Sequence, residues 1–491
     1  MQEDLIKEIK GKIVGGVFAL TTRTLILQII SFIATFILTI ILSPSIFGIF
    51  FVVSAVISFL SYFSDVGLAA SLIQKKEDPT RQELVSVFTL QQLIVGSLVL
   101  LAIIFSPNFG KFYSLNSDGI FLLRALLISF FLSSLKTIPS ILLERKLEFS
   151  LLVIPQILET FVFYLTTIVL ALLGYGIFSF AWGSIARGVV GLVTIYVISP
   201  WKLSIGIDMG SLKKLLSFGL PFQMNSLLAL VKDDLMTIFL GKILPFSQMG
   251  YIGWAKKWSE APLRLIMDSI IRVTFPAFSR MQGDKKLLSK AISKSFFFLS
   301  FFIFPTTALL IIYIKPMIYL IPKYLKWEPA LVPFYLYSFA AVLAAFSSPI
   351  VNALNAIGKI KKTLILMILW TLLTWILVPY LTLMYGYYGA PFAAFAISFT
   401  VIIPIFMIRK YIYIPILTSI LKPIVSTCFM VVPILLILSF GINLLSIGTS
   451  LILGIIVYSV SAWLMMKNEL LPYFPKFIRN VSRNPDPFNP T

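Results

Sequence analysis

ILSPSIFG, residues 41–48, is the stretch that decides the fold, because a related stretch, ILPFSQMG, recurs at 243–250. Four of the eight positions agree at an offset of 202 residues. Each copy joins a long apolar segment to the next, so the first and second segments correspond to the seventh and eighth. An even number of membrane spans between two copies keeps their orientation. The repeat therefore predicts two pseudo-symmetric six-helix bundles related by an axis along the membrane normal.

Composition and segment length place this chain in a membrane. The 491 residues are 59% hydrophobic and 12% charged, and the mean hydropathy is +0.98. Apolar segments of about twenty residues recur, and twenty helical residues cross a hydrocarbon core of about 30 Å. A transmembrane β-barrel would show short alternating segments, whereas the apolar runs here are continuous. The predicted fold is an all-α membrane protein with about 14 transmembrane helices.

The predicted spans are joined by short loops, and no connection is long enough for a separate soluble domain. The spans are roughly 13–42, 45–72, 83–105, 118–141, 150–173, 176–198, 214–240, 249–275, 290–314, 331–355, 363–384, 389–408, 423–440 and 447–466.

Five regions follow from these spans and the repeat. Residues 1–12 are predicted as a cytoplasmic N-terminal segment, 13–200 as the N-terminal bundle and 201–410 as the C-terminal bundle. Residues 411–466 hold two additional spans, and 467–491 form a cytoplasmic tail. The apolar run after residue 12 is too long for the core of a signal peptide, so we expect it to be a retained first span.

The distribution of Lys and Arg predicts the orientation. With the N-terminus inside, the cytoplasmic segments hold 27 of the 40 Lys and Arg residues, and the outer loops hold five. Cytoplasmic loops carry the excess of positive charge in membrane proteins, so both termini are predicted to be cytoplasmic. The net charge of +20 then reflects topology and attraction to anionic lipid, with no nucleic-acid partner implied.

The residue inventory excludes several kinds of site. The chain has no His, and its one Cys, Cys428, lies in an apolar run. A disulfide within the chain and a His-based zinc or acid–base site are both excluded. We predict no catalytic residue and no metal site.

Charged residues inside the spans predict a polar interior. In WAKKWSEAPLRLIMDSIIR, residues 254–272, charges of alternating sign recur every four residues and form one helical stripe. A charge at the bilayer centre costs at least about 2.5–3.5 kcal/mol, so this stripe cannot face lipid. We expect a cavity at the junction of the two bundles, slightly positive because eight cations and six anions lie in the spans.

The bland alternatives are a structural ladder of ion pairs and a helix lying flat at the interface. The second conflicts with the loop alternation, and the number of charges over several helices exceeds what packing requires. A cationic cavity favours an anionic headgroup, and Arg donates two parallel hydrogen bonds to phosphate. The predicted substrate-binding residues are Arg23, Arg124, Arg187, Lys256, Lys257, Arg264 and Arg272. The candidates for ion coupling, with H⁺ or Na⁺, are Glu159, Asp233, Asp234, Glu260 and Asp268, since buried carboxylates titrate.

Several further stretches, in collinear order between about residues 10 and 410, resemble a known family. They are FSDVGLAASLIQKKED (63–78), IPSILLERKLEFSLLVIPQILE (138–159), GYGIFSFAWG (174–183), TFPAFSRMQGD (274–284), KWEPALVPF (326–334) and NALNAIGKIKK (352–362). The resemblance is to Wzx-type polysaccharide and O-antigen flippases, in the branch that exports colanic-acid-like and teichuronic-acid-like polymers. That family belongs to the multidrug/oligosaccharidyl-lipid/polysaccharide superfamily.

The resemblance implies a flippase that moves an undecaprenyl-pyrophosphate-linked oligosaccharide across the plasma (inner) membrane by alternating access. Related lipid II flippases hold the pyrophosphate with arginines on the first span and in a central cavity, which implies Arg23 and Arg264 here. The implied partners are the lipid-linked oligosaccharide, the bilayer, and a polysaccharide polymerase and glycosyltransferases of the same pathway. The alternatives are a cation-coupled multidrug antiporter, which would favour an acidic cavity, and a membrane polysaccharide polymerase, which would need a larger loop or domain.

Overall fold

The computed structural model describes residues 2–473, and every regular element in that range is a helix. Side chains are described throughout it except at 2–21, 221, 222, 224–226, 265, 268–273, 275 and 276. The side chains of Asp268 and Arg272 therefore lie outside the described residues, as do the side chains of the predicted segment 1–12 and the tail beyond residue 473.

Eighteen α-helices follow one another through the described residues, with short 3₁₀ turns at Pro322–Ala330, Gly386–Tyr388, Phe399–Val401 and Leu471–Tyr473. The helices are α1 (Gln2–Ile41), α2 (Pro44–Tyr62), α3 (Leu68–Gln74), α4 (Arg81–Ile104), α5 (Ser106–Tyr113), α6 (Ser117–Ser134), α7 (Thr137–Arg145), α8 (Phe149–Leu172), α9 (Phe178–Ile198), α10 (Met209–Ile243), α11 (Phe246–Met281), α12 (Lys285–Leu320), α13 (Leu331–Ala356), α14 (Ile360–Tyr385), α15 (Gly389–Ser398), α16 (Ile402–Arg409), α17 (Ile416–Ser439) and α18 (Leu444–Leu470).

Polar caps start several of these helices at the ends of their apolar runs. Thr80 accepts a hydrogen bond from the backbone of Glu83, whose side chain accepts one from Thr80 in return, and α4 begins there. Asp284 accepts from two backbone N–H groups at the start of α12. Such caps satisfy N–H groups that have no partner within the helix.

Within residues 2–473, eleven segments are long and apolar enough to cross a bilayer. One of them, Ile360–Arg409, covers two of the predicted spans. Two more predicted spans lie in α10 and α11, which have 35 and 36 residues. At 1.5 Å per residue these helices are about 54 Å long and exceed the hydrocarbon core. The architecture is that of a multi-pass membrane protein, and the count of fourteen stays a prediction.

The predicted span 45–72 was wrong at its inner end. α2 stops at Tyr62, and α3 begins after Gly67, whose φ is +77°. A Cβ at Gly67 would lie 2.0 Å from the carbonyl oxygen of Gly219 in α10, so this left-handed turn depends on a neighbouring helix. The carboxylate of Asp65 accepts from the N–H of Ala69 and starts α3. The predicted span 118–141 is likewise divided, into α6 and α7.

Two compact units make up the fold, and each is described by itself. The first comprises the described residues of Met1–Lys256 with Val332–Phe334 and Ile365–Ile397. The second comprises Lys257–Leu331, Tyr335–Leu364 and the described residues of Ser398–Thr491. The predicted bundles divide the chain at other residues and stay a prediction.

The two copies of the repeat meet in the first unit. A Cβ on Gly48 would lie 1.8 Å from the carbonyl oxygen of Phe246, and a Cβ on Gly250 would lie 2.0 Å from that of Pro44. Positions 44 and 48 correspond to 246 and 250 at the offset of 202 residues. A reciprocal contact of this kind is what a two-fold axis between the copies produces.

Elsewhere in the first unit, α8 packs on α1 and α9, and α10 packs on α2 and α3. The segment before α10 is fastened to α4, because the backbone N–H groups of Gly206 and Asp208 donate to Thr89 and Ser86 at 3.0 and 2.8 Å. On the inner side, Arg145 at the end of α7 donates to backbone carbonyls of the segment after α3, including Leu72 at 2.5 Å.

The second unit is assembled around α12, which packs against α17, and α17 packs against α18. Tyr313 and Ser450 share a hydrogen bond of 2.8 Å, and Lys422 pairs with Glu469 at 2.5 Å. These contacts attach the two predicted C-terminal spans to the second unit.

Candidate functional site

A polar pocket lies inside the first unit, among α1, α7, α8 and α9. Its volume is about 310 Å³. Four ionisable residues line it, each from a different part of the chain: Arg23 from α1, Lys136 from the junction before α7, Glu159 from α8 and Arg187 from α9. Their formal charges sum to +2, with three cations and one carboxylate. The remaining lining residues are Leu27, Ser140, Leu152, Pro155, Gln156, Thr160 and Ile195.

Glu159 is the most buried of the ion-paired groups in this pocket. Its Oε1 accepts from Nζ of Lys136 at 2.5 Å, and its Oε2 lies 3.7 Å from Nε of Arg187. The side chain of Glu159 is 9% exposed, and that of Arg187 is 52% exposed. Buried charges are tolerated in membrane helices when they pair with one another. The carboxylate therefore holds two cations at the wall of the pocket.

Space for this carboxylate comes from the absence of a side chain on α9. A Cβ at Gly191 would lie 2.1 Å from Oε1 of Glu159 and 2.4 Å from its Cδ. A second glycine of the same helix, Gly183, is equally close to Thr167 of α8. Small residues allow helices to approach in membranes, and here one of them forms a notch for an ionised group.

A second group of charges joins α10 to its neighbours within the first unit. Asp233 lies 3.6 Å from Lys232 and 3.9 Å from Lys256, measured between carboxylate oxygen and Nζ. The next residue, Asp234, accepts a hydrogen bond of 2.9 Å from the hydroxyl of Ser58 in α2. The structure thus brings together three residues predicted for the site, Asp233, Asp234 and Lys256.

In the second unit, part of the predicted charged stripe is visible on α11. Arg264 donates to Glu260 at 2.9 Å, one helical turn apart, and the Arg264 side chain is 65% exposed. Lys257 is partly exposed on the same helix. This pair has the form of one rung of the structural ladder considered above, and the predicted roles of Lys257, Glu260 and Arg264 stay predictions.

Arg124 lies apart from these groups. Its Nε donates to Oγ of Ser106 at 2.8 Å, where α4 gives way to α5. It is absent from the residues that line the pocket. The structure therefore does not bring Arg124 together with Arg23 and Arg187, and its predicted contact with substrate stays a prediction.

Lys136 is a site residue that the sequence did not identify. It follows the apolar run of α6 and was assigned to a cytoplasmic loop, where lysines are common. A long lysine side chain extends well beyond its backbone position, and this one reaches Glu159 in the membrane-spanning part of α8. An available signal was the Lys immediately after an apolar run, combined with a Glu inside the next run.

Comparison with protein families gives one match, a family of polysaccharide biosynthesis proteins that aligns with residues 37–330. This match covers more than half of the chain.

Curated relatives come from bacterial polysaccharide systems. An uncharacterised membrane protein in the cps region of Klebsiella pneumoniae is 26% identical over 357 residues, 70% of each chain. The succinoglycan biosynthesis transport protein ExoT of Rhizobium meliloti is 22% identical over 54% of this chain and 53% of its own. The teichuronic acid biosynthesis protein TuaB of Bacillus subtilis is 23% identical over 46% of each. The chain thus spans about half the length of the last two relatives.

Solved structures with the same fold are transporters. The lipid II flippase MurJ in an inward closed conformation has a TM-score of 0.73 at 17% identity, covering 91% of this chain and 99% of its own. An inward-facing multidrug transporter of the MATE family, in the MOP superfamily, has a TM-score of 0.61 at 16% identity, covering 80% and 97%. At these identities the likeness establishes the fold alone.

Proposed function

Because the chain belongs to the polysaccharide biosynthesis protein family, we propose that it is a flippase for an undecaprenyl-pyrophosphate-linked oligosaccharide. It moves this glycolipid from the inner to the outer leaflet of the plasma membrane. The proposal is supported by the names of relatives that serve succinoglycan and teichuronic acid biosynthesis. It is a transport function rather than an enzymatic one.

The observation that carries this proposal is the cationic pocket in the first unit. Three cations and one carboxylate surround a space of about 310 Å³. A pocket of this size is at the lower end of the range for small-molecule sites. It accommodates a pyrophosphate with its first sugar and is too small for a whole oligosaccharide. Arg and Lys are the side chains that bind phosphate oxygens.

Movement of the substrate occurs by alternating access in this proposal, with fourteen spans and both termini in the cytoplasm. Two six-helix bundles open first to one side and then to the other, while the polyprenyl tail stays in lipid. Arg23, Arg187 and Arg264 are proposed to neutralise the pyrophosphate during the crossing. The polymerase and glycosyltransferases of the pathway are the proposed functional partners.

Ion coupling is a separate part of the proposal. Asp233 and Asp234 lie beside Lys256 and Ser58, and a carboxylate in such surroundings can exchange a proton or hold Na⁺. Glu159 and Glu260 are paired with basic residues, and together with Asp268 they complete the proposed coupling set.

A cation-coupled multidrug antiporter is the alternative favoured by the likeness to the MATE transporter. Such a protein binds cations, and a pocket with a formal charge of +2 opposes a cationic drug. A polysaccharide polymerase is the less favoured alternative, because it has no support from the transporter folds.

The test is a deletion in the source organism followed by complementation. We expect lipid-linked oligosaccharide to accumulate on the cytoplasmic leaflet after deletion, and the intact gene to restore its translocation. Arg187→Gln should restore it poorly. Normal translocation in the deletion strain, together with lost resistance to cationic drugs, would instead identify the antiporter.

A further inference from the structure

We propose that Glu159 is a built-in counter-ion that competes with the phosphate groups of the substrate for Lys136 and Arg187. The pocket is thereby kept neutral enough to bind an anion reversibly and release it. This inference rests on the proposed function for its substrate, a phosphorylated glycolipid, and deepens it by assigning a way in which the site lets go.

The geometry supplies the first step. The carboxylate oxygens of Glu159 are 2.5 Å from Nζ of Lys136 and 3.7 Å from Nε of Arg187. The shorter contact is a charge-assisted hydrogen bond, and the longer one is an ion pair without a close bond. Those cations present the same donors that a phosphate oxygen would need. A phosphate and Glu159 therefore bind in competition.

The second step concerns the strength of the site without this carboxylate. Burying a cation with no partner is unfavourable, and removing one member of a buried pair leaves the other uncompensated. With Glu159 absent, Lys136 and Arg187 would bind any entering anion tightly. A transporter must release its cargo, so tight binding in one state slows turnover.

The third step is the space in which the carboxylate lies. Gly191 has no Cβ, and one built there would lie 2.1 Å from Oε1 of Glu159. The side chain of Glu159 is 9% exposed, so it has little room to relax elsewhere. Gly191 is thus a positioning residue that admits the carboxylate to Lys136, and a methyl group at this position would push the two apart.

The binding experiment uses the purified full-length protein in detergent with inorganic pyrophosphate as the probe. Glu159→Gln retains the size and removes the charge, and we expect the Kd for pyrophosphate to fall at least about tenfold, equivalent to about 1.4 kcal/mol. Lys136→Gln should raise the Kd by a similar factor. Gly191→Ala should shift the Kd in the same direction as Glu159→Gln.

The matched control is Glu469→Gln. Glu469 also pairs with a lysine at 2.5 Å, Lys422, but in the second unit. Its Kd should stay within about twofold of the unaltered protein. A double-mutant cycle adds a second readout, because the gain from Glu159→Gln should shrink when Lys136 is already Gln.

Flipping of the lipid-linked substrate in proteoliposomes completes the test. Glu159→Gln should lower both KM and kcat, since the substrate binds more tightly and leaves more slowly. Pyrophosphate affinity that is unchanged or weaker in Glu159→Gln, or absent from both proteins, would overturn the counter-ion role whatever the flipping assay gives. Tighter binding in Glu159→Gln with no flipping by the unaltered protein would retain the counter-ion role and reject the proposed function.

Discussion

Gly48 of α2 and Gly250 of α11 occupy equivalent positions in a 202-residue repeat, and each packs against the opposite copy. A side chain on either would collide with backbone carbonyl oxygens, at 1.8 Å from Phe246 or 2.0 Å from Pro44. Another equivalent pair, Phe51 and Gly253, meets directly, since a Cβ at Gly253 would lie 2.2 Å from the Phe51 ring. The contact is therefore centred on the symmetry relation between the copies.

Gly48→Ala and Gly250→Ala should each weaken this contact. Backbone carbonyls cannot rotate away from a new methyl group as a flexible side chain could, so the helices must separate. Overpacking costs about 1–3 kcal/mol, and we expect a lower midpoint of thermal unfolding in detergent. Gly448→Ala in α18 is the control, because no atom lies within 4 Å of a Cβ there. Equal midpoints for Gly48→Ala and Gly448→Ala would contradict the contact.

Arg187→Gln should reduce flipping with little loss of stability. The Arg187 side chain is half exposed, and a hydrogen bond to a charged group is worth about 1.5–3 kcal/mol. We expect kcat/KM for the lipid-linked substrate to fall roughly ten- to hundredfold. Arg124→Gln is the matched control, because Arg124 donates to Ser106 outside the pocket. Equal losses in the two variants would argue against a special role for the pocket.

Asp234→Asn should uncouple transport from an ion gradient if the group on α10 is the coupling site. The variant keeps an acceptor for Ser58, which donates to Asp234 at 2.9 Å, but it can no longer lose or gain a proton near neutral pH. We expect flipping in proteoliposomes to become insensitive to imposed H⁺ or Na⁺ gradients. Ser58→Ala, which leaves the carboxylate in place, should remain sensitive. A full gradient response in Asp234→Asn would eliminate this residue from the coupling set.

Acid should weaken the start of α10 through Asp208. The hydroxyl of Ser211 donates to this carboxylate at 2.5 Å, and with the backbone N–H of Gly210 it lowers the pKa of Asp208 below 3.8. A lowered pKa means that the ionised form is favoured in the folded state. Its stabilising contribution is present above about pH 4 and is lost as the pH falls through the lowered pKa.

The measurement for Asp208 is the unfolding midpoint between about pH 7 and pH 2.5. Asp208→Asn should be less stable than the unaltered protein at neutral pH, and the difference should shrink towards the acid end. A difference that is constant with pH would show that the charge of Asp208 contributes nothing to folding.

Arg145→Ala should loosen the segment that follows α3. Its guanidinium donates to the carbonyl oxygens of Leu72, Lys75 and Glu77 at 2.5–2.8 Å, so no other single side chain replaces it. We expect faster backbone hydrogen exchange between residues 73 and 78. Arg81→Ala is the comparison, because Arg81 makes only a 3.4 Å contact with Ser204. Unchanged exchange in Arg145→Ala would mean that the segment is held by other contacts.

Hydropathy was sufficient to predict the class of the fold and the positions of most spans. Long apolar runs dictate helices in a membrane, because backbone groups must be satisfied within the segment. The break at residues 63–67 was not predictable in this way. It depends on Gly67 meeting Gly219, about 150 residues away in the chain, and no local pattern encodes that contact.

The candidate site divides in the same manner. Arg23, Glu159 and Arg187 were predicted because a charge within an apolar run needs a polar neighbour. Which charges share one pocket depends on the lateral arrangement of the helices, which the sequence period does not contain. The charged stripe on α11 drew attention to Arg264, whereas the pocket is formed by α1, α7, α8 and α9.

The connection between α9 and α10 is not a slack tether. Its backbone N–H groups at Gly206 and Asp208 are pinned to hydroxyls of α4, and α10 itself packs along α2 and α3. A hinge at this point would have to sacrifice those bonds at every cycle. The peptide joining the two repeats therefore acts as a stiff coupling rod, and bending during transport is expected to fall farther along the chain than the loop itself.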